Sequence, residues 1–72
     1  MATNNSNNQN LEAIYWNGNS LKTLFALSNN RLMERVDVGI ARGEHLKNPV
    51  AAKILDKELY RRADLIDKLF DS

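Results

Sequence analysis

Three arginines near the middle of the sequence have the chemistry and the spacing of an anion-binding surface. Arg31, Arg35 and Arg42 are separated by four and seven residues, which places them on one side of a helix. A guanidinium group presents its N–H donors as a fixed fork that pairs bidentately with phosphates and carboxylates. The row therefore predicts ion pairs with carboxylates of the same assembly, such as Glu58 or Asp56, or recognition of an acidic partner, or binding of a phosphate-bearing ligand.

The charge balance limits what such a ligand can be. The chain of 72 residues has ten basic and nine acidic side chains, so its formal net charge is +1. Binding of long nucleic acid depends on many phosphate contacts from a basic surface, which this balance does not indicate. An oligomer that gathers several arginine rows could still hold a nucleotide or nucleic acid.

Residue patterns for catalysis or metal binding are missing from the sequence. His45 is the only histidine and there is no cysteine, so neither a cluster of metal ligands nor an activated nucleophile is indicated. Gly39 and Gly43 lie four apart on a predicted helix, not in the strand-to-helix turn that cradles a phosphate. We expect no enzymatic activity, no metal and no cofactor.

Two further pairs of residues are candidates for binding a partner or ligand. Glu58 and Arg62 have the spacing of a helical ion pair, yet both fall inside an apolar sector, where charges often mark the rim of an interface. Tyr15 and Trp16 are expected to be buried in the core of the domain. Their alternative role is to anchor a partner, because large aromatic side chains are common at interfaces.

The last part of the chain predicts one long helix over about 49–71. Asn48 is placed to cap it, and Pro49 occupies a first helical position, where its missing N–H costs nothing. Apolar residues then recur at intervals of three and four, a seam of the coiled-coil kind: Ala52, Leu55, Leu59, Ala63, Ile66 and Phe70.

A second long helix is predicted over about 20–43. Ser20 is a good cap and Gly43 a good terminator. With residues placed 100° apart, seven of them fall within about 40° of one line: Leu21, Phe25, Ser28, Leu32, Val36, Gly39 and Gly43. The alternation over 36–40 also fits a strand but contains a glycine. A break at Asn29–Asn30 is the main rival to the unbroken helix.

A short connection between the two helices makes them antiparallel neighbours. The predicted fold is all-α: an antiparallel two-helix hairpin (about 20–43 and 49–71) with a short N-terminal helix. That short helix would use Leu11–Trp16, and a hairpin turn at Asn17–Gly18 is its alternative. Residues 1–10 are rich in asparagine and are expected to form a disordered tail, which leaves 11–72 as a single small helical domain.

The last predicted helix has a second apolar face. Ile54, Leu65 and Leu69 lie to one side of the seam, and a two-helix hairpin of this size has little core. We expect the Leu11–Trp16 segment to cover part of this face and a second copy of the chain to cover the rest. The sequence therefore predicts a homo-oligomer with Ile54, Leu65 and Leu69 in its interface.

These patterns favour a small, non-catalytic helical protein that self-associates and binds or inhibits a protein partner. A phage or mobile-element protein that modulates a host protein would fit this description. The alternative is an oligomeric binder of a phosphate-bearing ligand through the arginines. No apolar run approaches the roughly 20 residues of a membrane span, and no signal peptide pattern is present, so a soluble, cytoplasmic protein is expected.

Overall fold

Two helices that pack against each other form the body of the computed structural model, which describes residues 10–71. The elements in chain order are β1 (Tyr15–Trp16), β2 (Asn19–Ser20), α1 (Leu21–Phe25), α2 (Asn29–Ala41), α3 (Glu44–Lys47) and α4 (Pro49–Asp71). The predicted all-α hairpin is confirmed, with α2 and α4 as its two arms. The predicted disordered tail lies outside the described residues except for Asn10.

The C-terminal helix begins and ends close to where it was predicted. Pro49 is its first residue, and the carbonyl of Asn48 accepts the first helical hydrogen bond, from the N–H of Ala52 (3.1 Å). The amide nitrogen of Asn48 donates to the carboxylate of Glu44 in the short helix α3, and within residues 10–71 no N–H group of α4 donates to its amide oxygen. No helix within residues 10–71 is long and apolar enough to cross a membrane.

The unbroken helix predicted over 20–43 is wrong, because the chain leaves the helix between α1 and α2. Ser28 has an extended backbone (φ −62°, ψ 165°), and its hydroxyl accepts a hydrogen bond from the N–H of Arg31 (3.4 Å). A serine in this conformation starts a new helix. Asn29 and Asn30, proposed as the rival break, are the first two residues of α2.

The remaining helix-end predictions in this region are correct. Ser20 caps α1 by accepting a hydrogen bond from the N–H of Thr23 (3.2 Å). Gly43 follows the end of α2 with a left-handed φ of 79°, and its N–H binds the carbonyl of Ile40. The alternative strand over 36–40 is excluded, since these residues are helical.

The short N-terminal helix predicted over Leu11–Trp16 is also wrong. Residues 11–13 form a turn, and β1 and β2 pair antiparallel through a two-residue loop at Asn17–Gly18. Both loop residues have positive φ (50° and 87°), the geometry that tight hairpins favour and that asparagine followed by glycine adopts readily. The alternative reading of Asn17–Gly18 as a hairpin turn is therefore the correct one.

The core lies where this N-terminal segment packs against α2 and α4. Its buried side chains are Trp16, Leu21, Leu24, Leu32, Val36, Ala51 and Leu55. The molecule is a flat layer of about 39 × 38 × 18 Å. One face of the α2–α4 pair is thus covered by residues 11–27, while the opposite face has no covering segment within residues 10–71.

Helix α4 is rotated relative to the predicted seam. Its buried line runs through Ala51, Leu55 and Glu58, about 70° around the helix from the centre of the predicted seam. The rotation follows from the N-terminal segment, which packs on the Ala51 side of α4. As a result, Leu59 is only half-buried and Ala63 is exposed on the uncovered face.

Candidate protein-interaction surface

The arginine row lies on the surface of α2. Arg31 and Arg35 are one turn apart within the helix, Arg42 follows its last residue, and all three are exposed. The ion pairs within residues 10–71 are Lys22 with Glu12, Arg61 and Arg62 with Glu58, and Lys68 with Asp64. The three row arginines take part in none of these pairs.

Glu58, predicted as a partner for that row or as an interface residue, pairs within its own helix. Its carboxylate accepts two hydrogen bonds from Arg61 (2.9 and 2.7 Å) and one from Arg62 (2.8 Å). The Arg61 hydrogen bonds are the main cause that lowers the pKa of Glu58 to about 2, and Arg62 adds to them against the opposing effect of burial. Only 10% of the Glu58 side chain is exposed, so this carboxylate is a buried structural group.

Arg62 uses its donors on the corner between α1 and α2. Nη2 donates to the carbonyl of Phe25 (2.8 Å), and Nη1 donates to the carbonyl of Leu27 (2.9 Å) and to Oδ1 of Asn29 (3.1 Å). With Nε on Glu58, the guanidinium satisfies carbonyls that the end of α1 leaves without helical partners. The side chain is 13% exposed. Arg62 thus fixes α4 to the corner between α1 and α2, and we refer to this set of hydrogen bonds as the Arg62 clamp.

Tyr15 and Trp16 occupy opposite environments. Trp16 is 1% exposed, and its Nε1 donates to the carbonyl of Arg35 (3.2 Å). Its indole lies against Gly39, where an added Cβ would fall closer than 3.0 Å to three ring atoms. Tyr15 is 54% exposed beside the start of α4. Trp16 is therefore a core residue, and Tyr15 alone of the two is accessible to a partner.

The three residues predicted for the oligomer interface also differ in how exposed they are. Ile54 is half-buried against the core that the N-terminal segment completes. Leu65 and Leu69 lie on α4 beyond the Arg62 clamp and are 47% and 76% exposed. The expected partial covering of this face by the N-terminal segment thus reaches Ile54 but leaves the end of α4 open.

A groove on the uncovered face of the α2–α4 pair was missed by sequence reasoning. It has a volume of about 370 Å³. Six apolar or aromatic residues line it: Met33, Val36, Ile40, Leu59, Tyr60 and Ala63. The signal was present in the spacing of Met33, Val36 and Ile40, which form a second apolar stripe beside the main one on α2. This stripe lines an open groove only because α4 is rotated, which leaves part of the predicted seam of α4 uncovered.

Large side chains are exposed around this groove. Met33 is 46% exposed, Ile40 47% and Tyr60 71%. Asp37 on α2 and Asp56 on α4 also line the groove, and both residues are exposed. The arrangement is that of an apolar strip with polar edges, which is the usual composition of a protein interface.

Within residues 10–71, no group of three or more histidine, cysteine, aspartate or glutamate side chains is placed to hold a metal ion. His45 lies in α3, where it is half-buried and its Nδ1 has no hydrogen-bond partner.

Comparison with known proteins adds no assignment. The chain matches no model of a known protein family, and no curated protein or solved structure matches it.

Proposed function

We propose that this is a small, non-catalytic helical protein that acts by binding another protein chain, in the cytoplasm, and that also self-associates. The observation that carries the proposal is the uncovered α2–α4 face, where Met33, Ile40 and Tyr60 are exposed around one groove. Exposed apolar side chains that adjoin one another in this way are typical of binding sites, whereas scattered ones are not.

The composition of the groove supports a protein ligand. Tyrosine and methionine are enriched in the cores of protein interfaces, and Tyr60 and Met33 supply one of each from facing helices. Tyrosine is also among the residues that most often dominate binding energy. Inhibition of the bound protein, as expected for a phage or mobile-element modulator, is one consequence of such binding and belongs to this proposal.

A matched pair of variants tests whether the groove binds a partner. Met33→Ser/Ile40→Ser removes two exposed apolar side chains from the groove, and Val38→Ser/Leu46→Ser removes two from elsewhere, where Val38 is 37% and Leu46 78% exposed. Both variants should keep the helical circular dichroism of the wild type. We expect a protein captured from the native host by the wild type to be lost with the groove variant alone, and the purified partner to reproduce this.

The proposal fails if both variants retain the captured protein equally. It also fails if the purified partner binds the groove variant with wild-type affinity, since the groove would then be irrelevant to binding.

Self-association is proposed through the end of α4. Leu65 and Ile66 lie beyond the Arg62 clamp and are 47% and 39% exposed. In sedimentation experiments, the wild type and the control variant Leu46→Glu should be oligomers. The double variant Leu65→Glu/Ile66→Glu should be a monomer. Equal masses for all three would exclude this surface.

The second candidate function is binding of a nucleotide or nucleic acid through the arginine row. Its support is that Arg31, Arg35 and Arg42 are exposed and form no ion pair within residues 10–71. ATP and a short single-stranded oligonucleotide are suitable probes, with Arg35→Glu as the variant and Lys57→Glu as a control of equal charge change. Salt-sensitive binding lost only in Arg35→Glu would support this candidate, and a fall in thermal stability of Arg35→Glu without any probe binding would argue for an internal role instead.

A further inference from the structure

The charges that α2 places beside the α2–α4 groove are segregated by sign. On α2, Asp37 lies on the groove side, while Arg31, Arg35 and Arg42 lie about 120–160° away around the helix. The floor of the groove, beside Met33 and Ile40, therefore has an acidic edge on this helix and no basic one.

Helix α4 also places carboxylates on its side of the groove. Asp56 lines the groove and Asp67 lies on the same side three turns later, whereas Lys57, Arg61 and Lys68 lie about 80–140° away from these aspartates. Lys53 lies about 60° from Asp56 and about 20° from Tyr60 around the helix, so it is a basic side chain beside this edge, but it forms no ion pair with Asp56. Both edges of the groove thus carry carboxylates.

Neither lining carboxylate is neutralised by a basic side chain of residues 10–71. Asp37 and Asp56 are exposed, and neither takes part in an ion pair within residues 10–71. Two unneutralised carboxylates beside an apolar floor favour a ligand that brings positive charge on both sides of an apolar strip.

The shape of the groove favours a helix over an extended strand. The lining residues of α2 span Met33 to Ile40, two turns or about 10 Å, which matches apolar residues at positions i, i+3 or i+4, and i+7 of a bound helix. The walls are helices whose backbone groups are already paired, so they offer no edge to which a strand could add.

A second copy of the chain in a two-fold arrangement is disfavoured in this groove. A two-fold contact places the same patch against itself, so it would gather four carboxylates, Asp37 and Asp56 of each copy, in one interface. Juxtaposition of like charges opposes association. Self-association through the end of α4 is unaffected by this restriction.

We infer that the α2–α4 groove binds an amphipathic helix of a partner protein, one whose apolar stripe is flanked on both sides by lysine or arginine. This inference rests on the proposed function and specifies the chemistry of the partner.

The test uses two synthetic helical peptides of about 15 residues, roughly four turns. They share leucines at i, i+4 and i+7, and the positions beside these leucines are arginine in one peptide and glutamate in the other. Each is titrated into the full-length protein by fluorescence anisotropy, and the site is mapped by NMR from the methyl signals of Met33 and Ala63.

We expect the arginine peptide to bind at the groove roughly 2- to 25-fold more tightly than the glutamate peptide, from two exposed ion pairs. Asp37→Lys/Asp56→Lys should reverse this preference. The control Glu12→Lys/Asp64→Lys makes the same change in net charge away from the groove and should keep the wild-type order. Added salt should reduce the preference.

Each contrary result overturns the inference. Equal affinity for the two peptides, or the same response from both charge-reversal variants, would refute the argument from charge. The proposed function would still stand in that case if the Met33→Ser/Ile40→Ser variant loses its protein partner. Absence of peptide binding, with an oligomer that Met33→Ser/Ile40→Ser dissociates, would identify a second copy as the occupant.

Discussion

Replacing Gly39 by alanine should destabilise this protein, although the same change stabilises an ordinary exposed helix. Gly39 lies in the interior of α2 and is buried. Alanine at an exposed helix position is more favourable than glycine by about 1 kcal/mol. At Gly39 the new methyl group would lie closer than 3.0 Å to the indole of Trp16, so either the ring or the helix must move.

The cost of that movement exceeds the gain in helix propensity. Trp16 is 1% exposed, and its Nε1 is held by the carbonyl of Arg35, so the ring has no free space to enter. Overpacking of this kind costs about 1–3 kcal/mol, and loss of the buried hydrogen bond costs about 1–3 kcal/mol more. After subtraction of the propensity term, we expect a net destabilisation of about 1–5 kcal/mol.

Thermal and urea unfolding followed by circular dichroism measure this difference. For a domain of this size, each kcal/mol lowers Tm by about 4–8 °C. Trp16 is the only tryptophan in the chain, so its fluorescence reports directly on this contact. Native Gly39→Ala should show an emission maximum shifted toward that of exposed indole.

A double-mutant cycle with Trp16→Leu isolates the contact. In that background Gly39→Ala should be neutral or stabilising, because the indole is gone. An increase in stability of about 1 kcal/mol for Gly39→Ala in the otherwise wild-type chain would refute the reasoning, since Gly39 would then behave as an unconstrained helical glycine.

Four further substitutions test the clamp, its carboxylate partner and the helix start. Arg62→Lys keeps the positive charge but loses the planar set of guanidinium donors, so it should lower the free energy of unfolding, measured in urea, by about 2–3 kcal/mol. Arg61→Lys changes a side chain that is 60% exposed and should lower it by less than about 1 kcal/mol. Equal losses for the two variants would contradict the clamp. The pKa of Glu58 is lowered from an ordinary 4.5 to about 2. Its ionised carboxylate therefore stabilises the fold by up to about 3 kcal/mol above pH 4.5, and this contribution is lost as the pH falls from 4.5 to 2. Melts of Glu58→Gln should lack this part of the acid dependence, and an unchanged pH profile would count against it. Ser28→Ala removes the acceptor for the Arg31 N–H and should lower stability by about 0.5–1 kcal/mol; no loss would show that the cap contributes nothing.

The local signals in the sequence were sufficient for much of the helical framework. Pro49 and the absence of later glycines defined α4, and Gly43 defined the end of α2, because these residues act through their own backbone geometry. The antiparallel arrangement followed from the shortness of the connection between them.

The errors arose where the local sequence allowed more than one conformation and distant contacts stabilise one of them. The break before α2 is stabilised by Arg62, which lies far along the chain, while the apolar stripe from Leu21 to Gly43 continued through the break. The hairpin at Asn17–Gly18 is short, and its buried Trp16 finds its place only against Gly39. No local pattern contains these contacts.

The candidate sites were predictable only in part for the same reason. The exposed arginines could be read from spacing on one helix. The groove could not, because it depends on the rotation of α4 that packing of Ile54 and Ala51 under the N-terminal segment imposes. The roles proposed for these surfaces remain predictions for the experiments above.

The reach of Arg62 also bears on how the chain folds during synthesis. Its guanidinium binds groups at positions 25–29, which are made 33 to 37 residues earlier and leave the ribosome first. Until α4 has formed and docked, the carbonyls of Phe25 and Leu27 must be hydrated by solvent. The corner between α1 and α2 can therefore complete its hydrogen bonds only after translation has passed Arg62.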